Sequence, residues 1–141
     1  MQTCIVHVSD LHRGKRPSAE ADDALVTLCR ELSPELVIAS GDLANRGRVT
    51  ELEAALETLS RLQAPVLAVP GNHDLPYAFP ARFSRPWHAF EQVFGSIDPV
   101  FRSESLVVCG LCSARPWRHQ GGRLSEERLA RAAAVLHDAP T

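Results

Sequence analysis

The chain has 141 residues, 45% of them hydrophobic and 23% charged, with a formal charge of −2. That length suits one domain able to bury about two-thirds of its unfolded surface, and the composition excludes a disordered or collagen-like chain. No apolar run reaches the roughly 18 residues of a membrane span, and acids balance the arginines, so no overall field favours nucleic acid. Cys4 to Val8 is short, apolar and mostly β-branched, the signature of a buried strand. After Pro17, Ser18 can cap a helix whose Leu25, Leu28, Cys29 and Leu32 recur at helical spacing and which Ser33-Pro34 stops. Leu36 to Ala39 reads as a second strand. Thr50 with Glu53 has the capping-box spacing, followed by Leu52, Leu56, Leu59 and Leu62 on one face. Val66 to Val69 is a third strand, set off by Pro65 and Pro70.

This order predicts an α/β fold, a layered sheet of parallel strands flanked by helices. The strands are apolar throughout, as expected when both faces are covered. Residues 75–86 form a Pro- and Arg-rich excursion, a short helix fits Trp87 to Phe94, and a strand fits Leu106 to Leu111, paired with Val100 to Arg102. From Ser125 the chain reads as an Ala-rich helix with Leu129, Ala133 and Leu136 on one side. Residues 1–141 thus read as one domain. The N-terminus lacks a signal-peptide pattern, and four cysteines outside a secretory context suit a reducing cytoplasm.

Each of the first three strands runs straight into side chains able to bind a metal: Asp10 and His12, then Gly41-Asp42 with Asn45-Arg46, then Gly71-Asn72-His73-Asp74. In an open parallel sheet, ligands bind beyond the carboxyl ends of the strands, so the fold gathers these clusters at one edge. Two aspartates, a histidine and an amide oxygen suit manganese, iron or zinc rather than a thiolate-preferring metal. The two carboxylates would repel strongly without a cation between them. A pair of ions roughly 3.5–4 Å apart can hold a phosphoryl group and stabilise a leaving oxygen.

These three motifs together resemble the calcineurin-like metallophosphoesterase superfamily, nearer its bacterial cyclic-nucleotide-phosphodiesterase-like branch than the protein phosphatases. The resemblance implies a hydrolase acting on phosphate esters, a phosphodiesterase, with a small phosphoester or nucleotide as substrate. It implies two divalent or trivalent metal ions: Asp10 and His12 on the first, Asp42 bridging both, Asn72 on the second. It also implies in-line attack by a metal-bound hydroxide, with His73 serving the leaving group and Asp74 orienting His73. Asn45 and Arg46 stand where the family often carries Asp-Arg, and Arg46 can meet a phosphate oxygen bidentately. The family completes its site with a later histidine and a Gly-His-x-His segment. The histidines after residue 74 are His88, His119 and His137, and none has that context. The domain therefore reads as C-terminally truncated, its last strands missing. A degenerate relative that binds metal weakly, or a dimer lending ligands, follows from the same gap.

Other features take plainer readings. Cys109 and Cys112, like Cys4 and Cys29, read as structural core cysteines, and His7 as a core histidine. The stretch from Tyr77 to Trp117 holds all eight aromatics, with Arg82, Arg85, Arg102, Arg115 and Arg118 in or beside it. It reads as core and as the substrate-side cap of the domain, with Trp87, His88 or Trp117 lining the pocket. A nucleotide- or protein-binding module is the rival reading of the same residues.

Overall fold

Strands of four or five residues gain stability only by pairing and by covering both faces. In the computed structural model, which describes residues 3–15, 19–118, 120–137 and 139, β1 (Ile5–Val8), β2 (Leu36–Ser40) and β3 (Val66–Val69) do both. They form a parallel sheet in the order β1-β2-β3. Val8 lies opposite Ala39, and Ser40 opposite Val69, so the three carboxyl ends are level. The helices α1 (Ala19–Leu32) and α2 (Val49–Ser60) make the two crossovers. Val37 and Ala39 of β2, Leu52, Ala55 and Leu59 of α2, and Phe90 share one fully buried core cluster. Among the described residues no helix is long and apolar enough to cross a membrane.

Both crossover helices depart from expectation in detail. In α1, Cys29 is buried with Leu25 and Val26 partly so, while Leu28 and Leu32 are exposed. The cause is an ion pair between Arg13 and Asp22 at 2.6 Å, nearly closed to solvent, which turns the face of Asp22, Leu25, Val26 and Cys29 inward. The capping residue Ser18 lies outside the described residues. In α2 the cap is neither Thr50 nor Glu53. The buried carboxylate of Glu51 accepts the Arg46 N–H at 2.7 Å and the Arg48 N–H at 3.5 Å, so the cap is Arg48 and the helix begins two residues earlier than a box of Thr50 with Glu53 implies. Leu56 is exposed, and Leu52, Ala55, Leu59 and Leu62 form the buried stripe.

The second half is built on α3 (Ala81–Ser84), α4 (His88–Phe94), the antiparallel pair β4 (Val100–Arg102) and β5 (Val107–Cys109), and α5 (Glu126–His137). β5 is shorter than the apolar run around it, because beyond it the Gly110 N–H goes to the Pro99 carbonyl and the Cys112 N–H to the Asp98 carboxylate. The side of α5 carrying Leu129, Ala133 and Leu136 faces solvent, not the core. Asp98 draws in Arg128 at 2.7 Å and Arg131 at 3.3 Å instead, which presents Ala132 and Val135 to the fold. His7 is also exposed, on edge strand β1, and hydrogen-bonds the Ser40 hydroxyl at 2.6 Å.

Candidate metal centre

Level strand ends bring the first two loops side by side, and backbone bonds zip them together. Asp10 N–H donates to the Gly41 carbonyl at 3.1 Å, His12 N–H to Asp42 at 2.9 Å, and Arg13 N–H to Leu43 at 2.8 Å. Asp10, His12 and Asp42 take left-handed backbone, with φ of 60°, 45° and 53°. Non-glycine residues visit that region rarely, and such strain clusters at functional sites. The result is convergence: ligand atoms of Asp10, His12 and Asp42 lie within 4.8 Å of one another. The third loop closes on them through glycine. A Cβ on Gly41 would stand 2.7 Å from the Gly71 Cα, and one on Gly71 would overlap the Asp42 carboxylate.

Asn72 walls a cleft of about 500 Å³ together with Asp10 and Asp42. His73 sits beside them: its N–H donates to Asp42 Oδ1 at 3.0 Å, and its ring meets that of His12 edge-on at 4.9 Å. The Nδ1 of His73 is 3.0 Å from the Asn45 carbonyl. A carbonyl only accepts, so Nδ1 carries a proton there and Nε2 is left for other work. Asp74 does not orient this ring. It is 1% exposed, and its two oxygens accept the Ala44 N–H at 2.7 Å and the Gly71 N–H at 2.8 Å. Burial pushes its pKa up to about 6, against the pull of the N–H groups of Ala44, Gly71 and Leu43 and with a smaller push from Asp42. Asn45 and Arg46 are absent from the cleft wall among the described residues. Arg46 instead edges a separate hollow with Pro76 and Tyr77.

Two hard carboxylates and an imidazole converging at this range make a donor set that fits a divalent cation. His12 has a buried Nδ1 without a hydrogen-bond partner among the described residues, so no internal bond competes for that side of its ring.

The other wall of the cleft carries Arg115 and Arg118, two of the arginines on which the rival binding-module reading rests. It comes from Leu111, Ser113, Ala114, Arg115, Arg118 and residues 120–122. Trp87 and Trp117 line a neighbouring hollow shared with Arg115 rather than the metal cleft, and His88 lines neither. The aromatic stretch divides: Phe90 is core and stacks on Phe94 at 4.8 Å, whereas Tyr77, Phe79 and Trp117 are exposed. The available signal was a pair of arginines three apart followed by Gly121-Gly122. All four cysteines are free, and burial pushes the Cys112 thiol up to about 11, so it is unreactive. His119 lies outside the described residues.

A profile of the calcineurin-like phosphoesterase family matches residues 4–129. The chain belongs to that family. Among relatives of this calcineurin-like phosphoesterase is a probable glycerophosphodiester phosphodiesterase of Arcobacter nitrofigilis, 31% identical over 89% of this chain and 48% of its own. A probable cyclic nucleotide phosphodiesterase of Rhodopseudomonas palustris is 30% identical over 96% of this chain and 52% of its own. The crystal structure of a phosphopantetheinyl hydrolase from Mycobacterium tuberculosis superimposes with a TM-score of 0.50 at 19% identity, covering 99% of this chain and 52% of that one. It shows the same fold. The chain spans about half the length of the curated relatives it matches.

Proposed function

We propose that this chain is a metal-dependent phosphoric ester hydrolase, or the metal-binding part of one, acting on a small phosphodiester. The observation that carries the reading is the convergence of Asp10, His12 and Asp42 at the level strand ends, where Asp10 and Asp42 line an open cleft. The two relatives, named as phosphodiesterases, support the substrate class. In this reading Asp10 and His12 hold one ion, Asp42 bridges to a second, and Asn72 serves the second. Manganese, iron or zinc would suit these donors. Such ions, when bound, supply Lewis-acid polarisation and charge neutralisation at the phosphoryl group.

The chain's own residues do the rest. His73 holds its Nδ1–H on the Asn45 carbonyl, so it can offer an Nε2–H to a leaving oxygen only as the imidazolium. Asn45 thereby acts as a positioning residue through its carbonyl, while Arg46 lies in the separate hollow beside Pro76 and Tyr77. Asp74 is a positioning residue too, since it ties the second and third loops. Four free thiols suit a reducing compartment, and we place the protein in the cytoplasm.

The test is metal content and hydrolysis of a chromogenic phosphodiester for the wild-type chain, Asp42→Asn and Asn72→Ala. Wild type should bind metal and turn over the ester, Asp42→Asn should lose both, and Asn72→Ala should lower stoichiometry. Unchanged metal content and turnover in both variants would overturn the assignment. One ion per wild-type chain without turnover would instead favour a metal-binding, non-catalytic chain.

A further inference from the structure

We infer that Arg115 and Arg118 form a second anion subsite in the wall of the metal cleft. The ester taken here would then carry a further oxyanion group on the alcohol that departs. The inference rests on the phosphoester reading above and extends it to the rest of the substrate.

The cleft has walls of opposite charge. Asp10 and Asp42 stand at the strand ends, and Arg115 and Arg118 line the same space from residues 111–122. A volume of about 500 Å³ is in the range that takes a whole small molecule, not a lone phosphoryl group. The arginines do not serve the fold as their neighbours do. Arg82 donates to the Pro116 and Pro76 carbonyls, while Arg128 and Arg131 hold Asp98. Neither Arg115 nor Arg118 has a side-chain hydrogen bond or ion pair among the described residues, and the buried Nε of Arg115 lacks a partner altogether. A buried donor with no acceptor is unfavourable unless something else satisfies it.

The backbone that carries the two guanidinium groups is also held in place. They root at the ends of one turn, closed by the Arg118 N–H to the Arg115 carbonyl at 3.3 Å. Helix α3 clamps that turn from outside: Arg82 Nε reaches the Pro116 carbonyl at 2.8 Å, and Phe83 stacks on Trp117 at 4.4 Å. Two guanidinium groups rooted on one fixed turn can close together on phosphate or carboxylate oxygens, which guanidinium pairs bidentately.

The experiment titrates the full chain with inorganic phosphate and with inorganic pyrophosphate at one fixed manganese concentration, read by tryptophan fluorescence, to which Trp117 contributes from within the turn. Wild type should prefer pyrophosphate by about tenfold or more, and Arg118→Ala should remove about tenfold of pyrophosphate affinity while leaving phosphate affinity unchanged. Arg118 is exposed, so this variant should fold, and Arg118→Lys should restore part of the preference. Parallel loss for both anions would place the arginines on the same phosphoryl group and overturn the subsite, as would no loss for either. Loss of selectivity in a chain that hydrolyses no diester would keep the subsite and remove the hydrolase reading. Diester hydrolysis with selectivity unchanged would do the reverse.

Discussion

A single buried carboxylate, that of Asp74, fastens the second and third loops to each other through the Ala44 and Gly71 N–H groups. Its burial raises its pKa from 3.8 to about 6. Between those values the folded chain holds a proton that the unfolded chain has released, so this residue's contribution is full at low pH and declines as pH rises through 6. The decline amounts to about 3 kcal/mol. In Asp74→Asn the amide nitrogen would confront one of two backbone donors, which costs about 1–2 kcal/mol at low pH. Urea unfolding of chelator-treated protein should therefore show the wild-type advantage over Asp74→Asn shrinking from acid to neutral pH. A constant difference would rule out the raised pKa. At this scale the sequence was informative where chemistry lies in side chains: Asp10, His12 and Asp42 do converge. The resemblance gave the orienting of His73 to Asp74, whereas its Nδ1 lies against the backbone carbonyl of Asn45, a partner that any residue there would carry.

At the scale of elements, helical spacing identified α1, α2 and α5 but not which stripe of each turns inward. Adjacent stripes differ by one residue, and a single polar pairing selects between them. Arg13 with Asp22 does so for α1, and Asp98 with Arg128 for α5. Periodicity sums weak apolar preferences along a helix and does not register one such contact. Asp98 is the sharper case, since its carboxylate also accepts the Cys112 N–H at 2.7 Å. Asp98→Ala should destabilise the chain by about 2–4 kcal/mol, by stranding the largely enclosed Arg128 and the buried Cys112 N–H. Hydrogen exchange should quicken first across α5 while α2 stays protected. Uniform loss of protection would show that α5 is not held by this carboxylate.

For the whole molecule, the alternation of strands and helices up to Val69 was enough to predict the parallel sheet. The sequence offered Arg115 and Arg118 as phosphate contacts but not their place in the cleft, because the turn they frame has no period and is fixed by contacts of Pro116 and Trp117 with α3. The parallel sheet meets the antiparallel pair at Gly110, where a Cβ would stand 2.6 Å from Val69 Cγ1 and 3.0 Å from both Leu67 Cδ2 and Pro99 Cδ. Gly110→Ala should drive β5 away from β3 at a cost of about 1–3 kcal/mol. Since the chain runs from there into the cleft wall, the variant should also weaken pyrophosphate binding at temperatures where it is fully folded. Binding equal to wild type would mean that the wall is positioned independently of this seam.

The left-handed backbone at Asp10, His12 and Asp42 has a consequence for anyone wishing to harden this protein. Each such residue carries about 1 kcal/mol of conformational strain, which glycine would relax. The substitution that relaxes the turn is also the one that deletes a donor. Robustness and ligand capture therefore oppose each other at three points of one small surface. Thermal improvement has to be sought in α1, α5 and their exposed leucines, where no donor is at stake.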